Sequence, residues 1–294
     1  MIYEKGKDPR YDLPVGVSMR NFRGIDVVYL NCAVVPHGDG TLSIHTEGDQ
    51  VVATDLADAF GPYGVPLSSL SRDEAASVAS EFLLVRDWDF DQGSIPRFLS
   101  RFTNLFPDEI YDFLLRRIDQ STQAREHGQP GYHCFHLVHA NISFGNVPSE
   151  KRLQLGQNCV ARLIESDSPE DLADLFWEVA GYEEGALQLV LASAPKLDER
   201  GVRNIAVLIE KAIPRLAFSN PGFAGHLIGH FTGKQREQIV GAFASQARHF
   251  GGGAFQGDFD DHMAQRRKQF ADQVAALPDE PGLEELAREL RRFT

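Results

Sequence analysis

The chain has 294 residues, 43% of them hydrophobic, enough to bury a core in one elongated domain or two compact ones and to exclude wholesale disorder. Lysine and arginine number 29 against 42 acids, and the resulting net charge of −13 at pH 7 opposes nonspecific binding to nucleic acid or to anionic membranes. The first nine residues lack the apolar stretch of a signal peptide, and no run approaches the roughly 18 apolar residues of a membrane span, so the cytoplasm is the expected address.

The first elements are strands. Residues 25–35 are rich in β-branched side chains and end at Pro36-His37-Gly38-Asp39-Gly40, after which 41–46 and 50–54 read as two more strands, with a hairpin turning near Asp39-Gly40. Three strands are at the lower limit for independent stability, so residues 1–53 are expected to form a β-rich segment that leans on the helices or on another chain. Residues 54–294 are expected to be a helical, repeat-like domain.

Helix punctuation governs that second part. Ser71-Arg72-Asp73-Glu74 is a capping box opening the apolar run 75–85, because the serine oxygen and the glutamate can satisfy each other's free amide donors. Pro107-Asp108-Glu109 supplies the fixed φ and the negative charge favoured in a first turn, with Ile110, Phe113, Leu114 and Ile118 at helical spacing behind it. Arg116 and Arg117 are placed near that helix's C-terminus, ahead of the breakers His127-Gly128-Gln129-Pro130-Gly131. Further starts fall at Ser149-Glu150, Ser168-Pro169-Glu170-Asp171, Asp198-Glu199, Asn220-Pro221 and Thr232-Gly233. Gly181, Gly201 and the triple glycine 251–253 are expected to break or loosen the pattern, and two last helices span about 260–277 and 281–293.

Pairing the helices gives units that begin near residues 150, 182, 221 and 260, spaced by 32, 39 and 39 residues. Such periods suit stacked helical hairpins, in which each unit buries its apolar face against its neighbours. Over residues 107–294 the chain therefore resembles a HEAT or armadillo-type solenoid. The string Phe106-Pro107-Asp108-Glu109-Ile110-Tyr111-Asp112-Phe113-Leu114-Leu115-Arg116-Arg117-Ile118 also resembles those in helical tails of large bacterial signalling NTPases. No P-loop is present, so the resemblance carries no NTPase activity with it. The implied fold is mostly α: stacked, solenoid-like hairpins with a small β-rich N-terminal segment.

The candidate chemistry is sparse. His133-Cys134-Phe135-His136-Leu137-Val138-His139 is dense in metal ligands, but on a helix its imidazoles fan too widely for easy coordination, and on a strand His136 faces away from the other two. His226 and His230 stand one helical turn apart, the spacing of two zinc ligands, with Asp258, Asp260 or His262 as a third. Leu227 occupies the place where an H-E-x-x-H protease keeps its glutamate base. Asp87-Trp88-Asp89-Phe90-Asp91-Gln92-Gly93 starts like a calcium loop but carries Gln92 and Phe98 where an EF-hand needs glycine and glutamate. Cys32, Cys134 and Cys159 form no C-x-x-C pair and read as buried, reduced thiols.

Charge carries the favoured reading. Residues 166–200 hold nine acids against Lys196 and Arg200, a local net of −7. Exposed acids there, Asp171, Asp174, Glu183 and Glu184, are expected to bind another protein with a basic surface. The expected function is a non-catalytic interaction scaffold, or a regulatory or sensor subunit, with no cofactor and no nucleic-acid or membrane partner. The alternative is a metal-dependent hydrolase using His226 and His230 with a nearby Asp or with His262.

Overall fold

The computed structural model describes the backbone of residues 21–22, 25–26, 32–36, 42–46, 66–83, 94–128, 142–248 and 259–293. Side chains are described over 66–80, 83, 98–128, 142–248 and 261–293. The acidic stretch 87–93, the histidine cluster 133–139, the glycine run 251–253, the strand expected at 50–54, and Asp258 lie outside the described residues, as does the side chain of Asp260. The described chain is mostly helical and divides into two compact units, 1–152 and 153–294.

The first described residues of the first unit are short strands. β1 (Asn21–Phe22) pairs with β2 (Ile25–Asp26), and β3 (Cys32–Pro36) pairs with β4 (Leu42–Thr46), both antiparallel, with Val34 opposite Ile44. Three α-helices follow among the described residues: α1 (Arg72–Phe82), α2 (Ser94–Leu105) and α3 (Pro107–Glu126). The capping box forms before α1. Ser71 donates its amide hydrogen to Glu74 Oε2 at 2.7 Å, and the Glu74 amide returns a bond to Ser71 Oγ at 3.3 Å.

α3 starts at Pro107, whose missing N–H costs nothing in a first turn. It runs on to Glu126, so Arg116 and Arg117 sit in mid-helix, not near its end, and Arg117 is fully buried. α1 and α2 both pack on α3. In α2, Phe98 and Phe102 lie one turn apart and Phe106 follows another turn on, with successive ring centroids 5.4 and 5.3 Å apart. These i, i+4 aromatic contacts make the apolar ridge that the sequence spacing requires.

The second unit is built of nine helices among the described residues: α4 (Ser149–Glu165, across whose first turn the division falls), α5 (Glu170–Ala180), α6 (Glu184–Ser193), α7 (Glu199–Lys211), α8 (Leu216–Ser219), α9 (Pro221–Gly229), α10 (Gly233–Arg248), α11 (Phe259–Ala275) and α12 (Leu283–Leu290). Gly181 ends α5 at φ 73°, a left-handed value open to glycine. Asp198 caps α7 by accepting the Gly201 amide hydrogen at 2.8 Å, so Gly201 lies inside the first turn and does not break the helix.

Buried amides fix the order of these helices. Asn204 on α7 donates from Nδ2 to the Leu163 carbonyl at 2.8 Å and the Ser166 carbonyl at 2.7 Å, closing the C-terminal end of α4. Gln246 on α10 does the same one step along. It accepts from the Leu216 amide at 2.9 Å and donates to the carbonyls of Ala212 and Pro214, just past the end of α7. α5 and α7 run in the same direction, because Asp167 meets Arg200 at one end and Tyr182 meets Ile213 at the other. Between those ends the Trp177 indole donates to the Leu208 carbonyl at 2.7 Å.

α9 and α12 approach through glycine. Gly282 precedes α12 at φ 94°, and a β-carbon there would stand 2.6 Å from the Gly225 carbonyl oxygen of α9. α10 is tied to α12 by Arg236 with Glu285 at 2.7 Å and by Arg248 with Glu289 at 3.6 Å, and the Arg248 guanidinium lies 3.8 Å over the Phe293 ring.

Candidate functional site: a cleft between two short helices

α6 packs on α9, and between them opens a cleft of about 380 Å³. Leu187 and Leu191 of α6 and Phe223 of α9 give its apolar floor. Leu187 and Phe223 are buried in the core, whereas Leu191 is only half-covered. Glu184 and Gln188 form one lip, one turn apart on α6, and the Gln188 amide donates to Glu184 Oε1 at 2.7 Å. Opposite them are Ser219, Asn220 and the exposed imidazole of His226.

Two residues singled out for different reasons thus line one cleft: Glu184, expected to contact a partner, and His226, considered as a metal ligand. Neither has a cation or carboxylate paired with it among the described residues. The amphipathic pattern brings them there. Leu187 and Leu191 repeat at i, i+4 on α6, which turns Glu184 and Gln188 onto the adjoining stripe. On α9, the buried Phe223, Ala224, Leu227 and Ile228 leave His226 on the outer face.

The remaining acids sit elsewhere. Glu183 is exposed at the N-cap of α6. Asp171 and Asp174 lie half-covered on α5, and Asp174 already pairs with Lys211 at 3.0 Å. Near Asp174 is a group that the charge pattern alone did not distinguish. Glu178 lies one turn further along α5, where burial pushes its carboxyl up to about 7. Tyr182 beyond it stacks on Trp177 with centroids 4.8 Å apart. Burial raises the Tyr182 hydroxyl above its ordinary value, with the Ile213 amide bond opposing this and the charges of Glu178 and Asp174 adding to it. The signal in the sequence is faint: α5 is so apolar that Asp171, Asp174 and Glu178 share one narrow polar stripe, flanked by Leu175 and Val179.

His230 follows the last residue of α9 and is exposed, while His262 lies half-covered on α11. Among the described residues no three histidines, cysteines, aspartates or glutamates come together to hold a metal ion. Among the same residues, no helix is long and apolar enough to cross a membrane. Chemically, the cleft offers a ligand one carboxylate, one imidazole and short polar side chains around an aliphatic and aromatic floor. No protein-family model matches this chain, and neither does any curated protein or solved structure.

Proposed function

We propose that this chain is a non-catalytic, cytoplasmic protein-interaction scaffold, or the regulatory or sensor subunit of a larger assembly, that docks a partner with a basic surface. The observation that carries the reading is Glu184: an exposed carboxylate on the lip of a cleft with an apolar floor, bonded to the neutral Gln188 and paired with no lysine or arginine among the described residues. An unpaired charge beside apolar surface favours an oppositely charged partner twice over. It steers encounter from a distance, and it rejects partners of like charge on contact.

We further read residues 153–294 as stacked helical hairpins of the HEAT or armadillo kind. Support comes from the repeated use of a buried amide, first Asn204 and then Gln246, to hold the end of an earlier helix, and from the common direction of α5 and α7. A stack of this kind exposes the helix faces that do not meet a neighbouring unit, and such faces are the usual binding surfaces of repeat proteins.

Affinity purification from the native cell with the full chain as bait, repeated with Glu183→Lys/Glu184→Lys, tests the function. The expected result is a partner that is retained by the native chain, lost from the double variant and released by salt. A partner retained equally by both chains at low salt overturns the acidic docking reading.

A further inference from the structure

We propose that the cleft between α6 and α9 is a groove for an extended segment of a basic partner protein, which sets an aliphatic side chain on Leu187, Leu191 and Phe223 and a lysine or arginine against Glu184. This inference rests on the docking reading above and adds where, and by what chemistry, the partner is held.

Three features of the cleft select this occupant. Its size, about 380 Å³, sits at the low end for small-molecule pockets, which bury most of their ligand. This one opens between two surface helices, so it suits side chains inserted from a longer chain running across it. The floor is apolar where the lips are polar, and that contrast favours a segment alternating aliphatic and polar residues over a uniformly polar one. Charge decides the rest. Among the described residues Glu184 is the only carboxylate lining the cleft and no lysine or arginine lines it, and Glu183 stands beside Glu184 in sequence. An acidic segment entering the cleft would bring its carboxylates against Glu184 with no cation to offset them.

The same observations argue against other occupants. A divalent ion would need further carboxylate, imidazole or thiolate ligands, and Glu184 and His226 belong to no group of three among the described residues. A phosphate group would meet the Glu184 carboxylate with no lysine or arginine among the described residues of the lining to screen it.

The test uses the full chain, isotope-labelled at leucine methyl groups, titrated with three blocked pentapeptides: Lys-Leu-Arg-Leu-Lys, its alanine counterpart Lys-Ala-Arg-Ala-Lys, and its acidic counterpart Glu-Leu-Glu-Leu-Glu. The leucine-containing basic peptide is expected to shift the Leu187 and Leu191 methyl signals. Both the alanine peptide and the exposed-site variant Glu184→Gln should weaken that binding by about tenfold, a difference of about 1.4 kcal/mol. Methyl shifts of equal size with the acidic peptide would overturn the proposal. So would binding of the basic peptides that leaves Leu187 and Leu191 unmoved while shifting leucines of α5, and in that case the acidic docking reading survives without the cleft. Absence of binding by all three peptides overturns both.

Discussion

The Tyr182 hydroxyl accepts the Ile213 amide hydrogen at 3.1 Å, just beyond the helix on which Glu178 sits one turn earlier. The aromatic ring is held by its stack on Trp177, so the loop that follows α7 is pinned next to a carboxyl group that burial disfavours as an anion. Ile213 itself is 71% exposed, so what fixes this loop is the hydrogen bond and not burial of the isoleucine.

Stability should therefore fall as pH rises through the range from 4.5 to about 7. Below it, Glu178 is protonated in both the folded and unfolded chains and costs nothing. Within it, the unfolded chain releases its proton while the folded chain keeps it, so unfolding is favoured as pH increases. Above it, the loss is complete and constant. Because the group retains some contact with solvent, the total is about 1–2 kcal/mol and not the full value that the shift alone implies. Glu178→Gln should remove this slope, making the variant the more stable protein at pH 8 and its equal near pH 4. Urea denaturation across that range is the check, and parallel pH profiles for the two proteins would contradict the assignment.

Gly282→Ala should be among the most damaging single-methyl additions in the second unit. The added carbon meets the Gly225 carbonyl, a backbone atom that cannot swing aside, and φ of 94° strains any L side chain. Together these cost about 2–4 kcal/mol. Gly233→Ala is the control: φ is 54° but the space around it is open, so the expected loss is about 1 kcal/mol. Equal losses in chemical denaturation would mean that the contact between α9 and α12 is looser than the geometry described above.

Gln246→Leu should cost about 2–4 kcal/mol, since it strands the Leu216 amide and the carbonyls of Ala212 and Pro214 without giving any of them a new partner. Gln246→Glu tests the same bonds differently. It keeps an acceptor for Leu216 but removes the donor for both carbonyls, and should be no better tolerated. Thermal melts that leave either variant within 1 kcal/mol of the native chain would remove Gln246 as an organising residue.

Local signals in the sequence located helix starts well, because a cap is made by residues three apart. Ser71 with Glu74, Pro107, Asp198 and Pro221 all stand at the helix starts that their chemistry dictates. Arg116 and Arg117 misled, since basic residues favour a helix end only weakly and the apolar spacing of α3 continues past them to Ala124. What the sequence could not show is contact at long range. Asn204 and Gln246 look like ordinary polar positions until the carbonyls they hold, 30 or more residues away, are brought to them. The cleft is of the same kind: periodicity turns Leu187 and Leu191 inward, but only the packing of α6 on α9 brings Glu184 and His226 to a common opening.

The four acids expected to bind a partner lose stability for different reasons on charge reversal. Glu183→Lys/Glu184→Lys sets two cations at the N-terminus of α6, so stability should fall by about 1 kcal/mol while association slows and its salt dependence flattens. Asp174→Lys removes the partner of Lys211 and sets two cations side by side, so it should destabilise the fold by about 1 kcal/mol as well. A stopped-flow association series at low and high salt, run beside denaturation curves, separates steering from folding. An unchanged rate for the Glu183/Glu184 variant at low salt would reduce that pair to solvated surface.

His226→Ala/His230→Ala should leave the fold untouched and abolish no catalysis. Both imidazoles are exposed, and among the described residues neither side chain has a hydrogen-bond partner, so their removal should change stability by no more than about 0.5 kcal/mol. Two ligands one turn apart do not make a catalytic zinc site without a third ligand, an open position for water and a base. The position between them where that base would stand is Leu227, which is completely buried and faces the core, away from the opening in which His226 lies. Even Leu227→Glu would therefore bury a carboxylate in the core, at a cost in folding, before it could present one to a metal. Elemental analysis and circular dichroism of the double variant decide the matter. A protein that keeps its helical spectrum but loses stoichiometric zinc together with a measurable hydrolytic activity would replace the scaffold with an enzyme.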